Sequence, residues 1–366
     1  MSHFTTVVGL DVHKDSISAA VLQPEARSFA LTTKIANDPG EVRRFVDRLA
    51  RFGPLEFVYE AGPCGYQLHR EMSALGQICT VIAPGLTPQK PGDRVKTDRR
   101  DAEKLAQLHR AGQLTPIRVP TREEEAARDL TRVREDVLTD RLRARHRLSK
   151  FLLRQGLIWR ETKAWGVKHR AWIRQQHFDF APLQGSFESY LRAVEEAEER
   201  LRDLEQQVVE LAEHSSWKGI VDRLRCLKGI DTLSALTLAV EVQDFRRFSG
   251  ARQFMGYTGL VSREYSSGGS VNRGRITKVG NAHVRRVLVE AAWNYSRGAA
   301  TGPSLSKRRE GCSPEAVAIA KRAQERLSRK FRKLVGRGKA RQTVVVSVAR
   351  ELAGFVWAIA RTIPQN

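Results

Sequence analysis

An α/β layer at the front of the chain, followed by a mostly helical remainder, is the fold this sequence predicts. Three observations carry that expectation. Short apolar runs alternate with helical patterns between residues 5 and 115. An apolar stripe in 3,4 spacing then runs from Phe187 to Leu211, with charged residues between its positions. Beyond Asp222 the pattern is helical again, interrupted by glycine turns and one Ser/Gly-rich stretch. The chain accordingly divides into 1–115, 116–220 and 221–366.

Within the first part, Val7–Leu10 and Ser16–Leu22 read as two strands joined by a polar turn, with a third at Ser28–Lys34. Pro39–Phe52 reads as a helix, Leu55–Glu60 as a strand, Gly65–Leu75 as a helix and Ile78–Ala83 as a strand. Thr97–Ala111 is the last helix of the layer, with Thr97 as its N-cap. Antiparallel strands first and β-α-β alternation afterwards describe a ribonuclease-H-like layer. A dinucleotide-binding fold is disfavoured because no GxGxxG follows the first strand.

From Thr121 to about Leu157 a long helix is expected. Its basic run of Arg141, Arg143, Arg145, Arg147 and Lys150 either tracks a phosphate backbone or is a solvated face. Phe187, Tyr190, Val194, Ala197, Leu201, Leu204, Val208 and Leu211 then form a coiled-coil seam, which folds back on the preceding helix or pairs with a second subunit. Leu227-Lys228-Gly229-Ile230-Asp231-Thr232 resembles a helix-hairpin-helix turn, whose backbone N–H groups face a phosphate; a plain glycine turn between helices would read the same way. Residues 251–300 hold Tyr257-Thr258-Gly259-Leu260, Glu264-Tyr265-Ser266-Ser267-Gly268-Gly269 and Arg273-Gly274-Arg275-Ile276-Thr277-Lys278-Val279-Gly280-Asn281, followed by a helix from about His283 to Tyr295. The tail from 301 carries 15 Lys and Arg against 4 Glu.

Composition narrows the partner. The 366 residues include 63 Lys and Arg against 41 Asp and Glu, a formal charge of +22. Such a surplus favours a polyanion, and nucleic acid is the first candidate. Cys64, Cys79, Cys226 and Cys312 are scattered without a CxxC pair, which argues against a zinc knuckle or a disulfide framework and fits a reducing cytoplasm. No apolar leader core opens the chain. The one long apolar stretch, Val344–Ile363, is interrupted by Arg350, Glu351 and Arg361 and reads as an amphipathic terminal helix, so no membrane partner is expected.

Four carboxylates stand out. Asp11 follows the apolar run Thr6–Leu10, and Glu60 closes the run Leu55–Tyr59. Asp98 and Asp101 lie three residues apart at a helix start, in Lys96-Thr97-Asp98-Arg99-Arg100-Asp101-Ala102, so they share one face. A buried carboxylate without a partner is costly, and a cation compensates it. Two strand-end acids facing a helical pair are how hard oxygen ligands gather around two Mg²⁺ ions, which commonly act on a phosphodiester. Asp15 and Glu103 read as solvated, and His13 and His69 lack ligand spacing. Ser266-Ser267-Gly268-Gly269 offers a hydroxyl on a flexible turn, with Arg273, Arg275 and Lys278 placed to cradle a phosphate. No His/Asp pair in triad arrangement accompanies it. Arg141, Arg145 and Lys228 complete the candidate nucleic-acid contacts.

The stretches GLDVHKD, VYEAG and KTDRRDA, followed by SSGG and RGRITKVGN, resemble the DEDD transposases of bacterial insertion sequences. That is the IS110 family, related to the Piv/MooV invertases and understood as bridge-RNA-guided serine recombinases. The resemblance spans residues 6 to 360. It implies a RuvC-like domain, a coiled-coil linker and a C-terminal transposase domain bearing a serine nucleophile. By it the catalytic, metal-holding quartet falls on Asp11, Glu60, Asp98 and Asp101, and the nucleophile on Ser266. Ser270-Val271-Asn272 departs from the family, where many relatives place lysine directly after the two glycines. The implied activity is Mg²⁺-assisted attack of serine on donor and target DNA, through a phosphoserine link, directed by a guide RNA. The implied assembly is a dimer on each DNA and a tetrameric synapse, working in the nucleoid of a prokaryote. A metal-dependent nuclease or junction resolvase using water is the rival reading, and a catalytically silent RNA- or DNA-binding protein is a third.

Overall fold

The computed structural model describes residues 5–88, 97–161 and 163–363. Lys96, the first residue of the KTDRRDA stretch, lies outside them. The chain forms two compact units, residues 1–120 and 121–366.

The first unit is a mixed five-stranded sheet. Its strands are β1 (Thr6–Val12), β2 (Ser16–Leu22), β3 (Leu31–Ala36), β4 (Leu55–Glu60) and β5 (Ile78–Ile82), in the order β3-β2-β1-β4-β5. β1–β2 and β2–β3 are antiparallel, whereas β1–β4 and β4–β5 are parallel. The antiparallel start and the parallel continuation are those expected from the pattern, and the runs Ser16–Leu22 and Leu55–Glu60 appear with their expected ends. β3 starts three residues later than Ser28. The turn before it is longer because Arg110 satisfies its carbonyls, donating to Gln23 O at 3.1 Å and Ala26 O at 2.7 Å.

Helices cover both faces of the sheet. α1 (Pro39–Leu49) and α2 (Gln67–Ala74) pack on the face of Val8, Leu10, Phe57 and Tyr59. α1 begins where Asp38 accepts hydrogen bonds from Gly40 N and Glu41 N. α3 (Asp98–Arg110) covers the opposite face, over Val7, Leu22, Val58 and Ile82, through Leu105 and Ala106. Thr97 caps α3, as its sequence position predicts, accepting from Arg100 N.

Gly9 explains how close α3 comes. A Cβ there would lie 2.7 Å from Ala106 N and nearer still to Ala102 O, so only glycine lets the helix backbone rest on the strand.

The second unit is mostly helical. α4 (Arg122–Arg154) opens with a capping box of Thr121 and Glu124. After the short α5 (Val167–Arg174), α6 (Ala181–His214) runs back antiparallel along α4. The direction follows from cross-pairs of Arg134 with Glu205 and Arg145 with Glu198. Phe187, Val194, Leu201 and Val208, every seventh residue of the apolar stripe, are buried. Phe187 and Val194 pack against Ala144, Leu148, Phe151 and Leu152 of α4. The stripe therefore folds back within the chain, as one helix of a hairpin.

The remaining elements are α7 (Lys218–Leu224), α8 (Thr232–Val242), α9 (Ala251–Tyr257), a ribbon of β6 (Ser262–Glu264) and β7 (Arg273–Ile276), α10 (Ala282–Ala292), α11 (Pro303–Arg309), α12 (Pro314–Gly336) and α13 (Arg341–Ala360). α8, α10, α12 and α13 supply most of the core. The expected terminal helix is present as α13, which despite Arg350 and Glu351 is by length and composition long and apolar enough to cross a membrane. It is a core helix in this fold, with Val344, Val348, Leu352, Val356 and Ile359 all buried.

Candidate functional site

The first cluster is built by the sheet and α3. The parallel register that sets Leu10 opposite Tyr59 brings Asp11 and Glu60 to the ends of adjacent strands, one rung further on. α3 runs antiparallel to β1, so its N-terminus reaches the strand end. There Asp98 and Asp101 occupy the first turn, where the positive end of the helix dipole favours carboxylates.

His13 completes the cluster. Its turn is fastened by His13 N donating to Ser16 O at 2.9 Å, and by Asn37 Nδ2 donating to His13 O at 2.8 Å. The ring Nε2 lies 3.1 Å from Asp11 Oδ2 and 3.5 Å from Asp98 Oδ1. Ligand atoms of Asp11, His13 and Asp98 all lie within 4.8 Å of one another. Sequence spacing left His13 out; the signal that would have found it is its place two residues beyond Asp11, in a turn that folds back over the strand end. Lys34 Nζ sits 3.4 Å from Asp98 Oδ2. Glu60 accepts from Thr87 Oγ1 at 2.6 Å.

The electrostatics suit a divalent cation. Burial pushes the Asp11 carboxyl above its ordinary range; His13 opposes the shift, and the charges of Asp98 and Asp101 add to it. A site that crowds three carboxylates at a half-buried strand end relieves that repulsion by taking a hard cation, which fits the oxygen donors present.

The second cluster sits on the β6–β7 ribbon. Tyr265 N donates to Asn272 O at 2.9 Å, and Ser267 and Ser270 exchange backbone hydrogen bonds at 3.2 Å around the two-residue turn Gly268-Gly269. Ser266 is thus held on a closed hairpin near its tip, with its side chain exposed. Its Oγ donates to Glu264 Oε1 at 2.9 Å, and Arg273 Nε reaches Glu264 Oε2 at 3.3 Å. Beside it, Arg273, Arg275 and Lys278 line a groove of about 640 Å³ whose other wall is α13, including Thr343, Ser347 and Arg350. Arg350 was read from sequence only as an interruption in the apolar stretch.

The hairpin stands on a buried polar network. Glu241, with its side chain 1% exposed, accepts from Arg132 Nε at 2.7 Å and Arg132 Nη2 at 3.0 Å. Asn281 Nδ2 donates to the same carboxylate at 2.7 Å, while Asn281 Oδ1 caps α10 through Val284 N at 3.0 Å. Tyr257 OH donates to Glu241 O at 3.2 Å. The Tyr257 and Asn281 motif residues are therefore structural ties on either side of the ribbon.

The other candidate contacts divide. On α4, Arg143, Arg147 and Lys150 are exposed, whereas Arg141 and Arg145 turn toward α6. Arg145 pairs with Glu198 and lies 4.8 Å from the Trp165 ring centroid. Burial, reinforced by Arg145, pushes the Arg141 guanidinium down. Lys228 Nζ donates to Gly298 O at 2.7 Å and Ala300 O at 3.2 Å, with burial and the nearby Arg297 and Arg309 lowering its pKa. The adjoining turn depends on Gly229, at φ 86° and with Ala291 O 2.5 Å from where a Cβ would stand. Asp231 caps α8 by accepting from Ser234 N at 2.9 Å. The glycine turn packs inward against α10, and a side chain already serves the helix N-terminus.

The chain is similar to transposases. Residues 8–155 match a transposase family model of the DEDD type from IS110 elements, and residues 221–306 match one described as transposase IS116/IS110/IS902 family. The putative transposase y4qE of Sinorhizobium fredii (strain NBRC 101917 / NGR234) is 41% identical over 98% of this chain and 89% of its own. The transposase for insertion sequence element IS1533 of Leptospira borgpetersenii is 34% identical over 89% of this chain and 96% of its own. A probable family 20 transposase of Pseudomonas aeruginosa is 28% identical over 69% of this chain and 73% of its own.

Proposed function

The chain belongs to the IS110 family of DEDD transposases, enzymes that cleave and rejoin DNA, and we propose that it does so by attack of Ser266 on a DNA phosphodiester, at sites chosen by a guide RNA. The observation that carries the reading is the hydroxyl of Ser266, presented on a closed hairpin and joined through Glu264 to Arg273, which lines a groove with Arg275, Lys278 and Arg350. In that groove the cationic side chains hold the backbone of the scissile strand, because each neutralises a phosphate without reading its base.

Ser266 Oγ attacks phosphorus as the bond to the leaving deoxyribose oxygen breaks. The product is a phosphoserine ester that keeps the energy of the phosphodiester, so reversal by a new deoxyribose hydroxyl reseals the strand without ATP. Strand exchange between the two steps joins donor to target. Asp11, Glu60, Asp98 and Asp101 are the residues that would hold Mg²⁺, as one or two ions, with His13 at the edge of the cluster. When bound, the ions supply charge stabilisation to the pentacoordinate phosphate.

Sequence choice is delegated to base pairing by the guide RNA, and the protein contributes shape and backbone recognition. The exposed Arg143, Arg147 and Lys150 of α4 and the basic tail from 301 are the surfaces offered to RNA and DNA. Residues 1–115 act as the RuvC-like domain, 116–220 as the helical linker and 221–366 as the transposase domain. A dimer on each DNA, joined as a tetramer at the synapse, brings the strands together.

The test is a reaction of the purified chain with Mg²⁺, the RNA flanking its element, and labelled donor and target DNA. A denaturant-stable protein–DNA adduct, absent in Ser266→Ala and lost in Asp11→Ala, is expected. Free cleaved DNA that is unchanged in Ser266→Ala would mean a hydrolytic nuclease instead.

A further inference from the structure

We propose that Glu264 is the proton acceptor for Ser266, a catalytic residue outside the acidic quartet; the assignment rests on the serine reading above. A serine hydroxyl is a weak nucleophile until a base within hydrogen-bond reach takes its proton. The ribbon from Ser262 to Ile276 contains no histidine for that task. Glu264 meets the geometric requirement: its Oε1 accepts the Ser266 hydroxyl at 2.9 Å.

The arrangement has three members. Glu264 ends β6 and Ser266 follows two residues later, between the paired Tyr265 and Ser267, where its hydroxyl meets the Glu264 carboxylate. Glu264 lies opposite Arg273 in the β6–β7 register. Arg273 Nε contacts the second oxygen, Oε2, at 3.3 Å. The base is therefore oriented by a third group, and the oxygen left facing Ser266 is the one that takes the proton. Arg273 also lines the phosphate groove, so substrate entry and orientation of the base share one side chain.

The step balances simply. The Oγ–P bond forms, the P–O bond to the leaving deoxyribose oxygen breaks, and the hydroxyl proton passes to Glu264 Oε1. The leaving oxygen takes a proton from solvent. On resealing, the incoming hydroxyl gives its proton to solvent, and Glu264 returns its own to Ser266 Oγ as the ester bond breaks.

Glu264→Gln is the informative variant, because an amide oxygen still accepts the serine hydrogen bond but cannot take the proton. The Glu264 side chain is 48% exposed, so the substitution leaves the fold intact. With full chain, RNA, Mg²⁺ and DNA in single turnover, Glu264→Gln slows adduct formation by about 10²–10⁴-fold, the usual contribution of a general base. DNA affinity stays unchanged, Glu264→Asp retains part of the rate, and formate partly restores Glu264→Ala. A wild-type adduct rate in Glu264→Gln, with Ser266→Ala inactive, overturns the assignment and leaves the serine reading standing. A slow Glu264→Gln whose DNA binding falls in parallel, with no formate rescue of Glu264→Ala, also overturns it. An adduct persisting in Ser266→Ala overturns the serine reading itself.

Discussion

Replacing Gly9 by alanine tests how the acidic cluster is assembled. The new methyl group would stand 2.7 Å from Ala106 N, 3.1 Å from Ala106 Cβ, and closer still to Ala102 O. Ordinary contact between such atoms begins near 3.4 Å, so α3 has to retreat by about 1 Å. None of the three contacts is the end of a flexible side chain; two are helix backbone, which yields only as a unit. Overpacking of this kind costs about 1–3 kcal/mol. For a unit of this size that lowers the melting transition by roughly 5–15 °C. The same retreat draws Asp98 and Asp101 away from Asp11, and a misplacement of about 1 Å costs around 10²-fold in rate. Gly62→Ala, in the Glu60 motif, is the control, since its Cβ would meet nothing nearer than Glu60 O at 3.9 Å. Thermal unfolding of both variants, alongside adduct formation, makes the comparison. A Gly9→Ala protein with wild-type melting and wild-type rate, or one indistinguishable from Gly62→Ala, would refute the account of α3.

Three further expectations bear on other parts of the molecule. Burial raises the Asp11 carboxyl pKa, so the folded chain binds more protons there than the unfolded chain, and stability from this group falls as pH rises through the carboxylate range. Asp11→Asn should therefore melt higher than wild type at neutral pH without metal, lose that advantage at acid pH, and respond less to added Mg²⁺; a lower metal-free melting temperature at neutral pH would contradict this. Arg132→Ala strands the buried Glu241 carboxylate with Asn281 as its remaining side-chain donor among the described residues, and should cost about 3 kcal/mol by urea titration. Lys228→Ala leaves the Gly298 and Ala300 carbonyls without their donor, and should cost about 1–3 kcal/mol while DNA affinity holds, in contrast to Arg275→Ala, which should weaken binding measured by anisotropy.

The sheet was legible because each of its strands carries its own local signal. Apolar runs bounded by polar turns mark β1, β2, β4 and β5, and the threonine before Asp98 marks the start of α3. The shift of β3 was not legible, because Arg110, more than 70 residues away in sequence, decides where its turn ends. The seam of α6 could be read as a period but not as a partner; the ion pairs with α4, and the packing of Phe187 and Val194 on it, settle that it folds back.

The candidate site followed the same division. Strand-end acids and a helix-start pair are sequence features, so the placement of Asp11 and Glu60 at adjacent strand ends and of Asp98 and Asp101 in the first turn of α3 could be read in advance. His13 was discarded for lacking ligand spacing, yet a turn of three residues brings its ring onto two of those acids. Glu264 was visible only as a letter in a motif, because its bond to Ser266 depends on the ribbon being closed. The basic run on α4 mixed two populations that helical geometry separates, and Arg145 serves the hairpin.

The most direct measurement is to digest the protein–DNA adduct with nuclease and protease, then locate the nucleotide mass on the peptide spanning Ser262 to Arg273. The account predicts a phosphoester on Ser266, formed by wild type with Mg²⁺ and absent from Asp101→Asn. Attachment at Ser267 or Ser270, or an adduct whose yield ignores both Mg²⁺ and Asp101, would contradict the joint action of hairpin serine and acidic cluster.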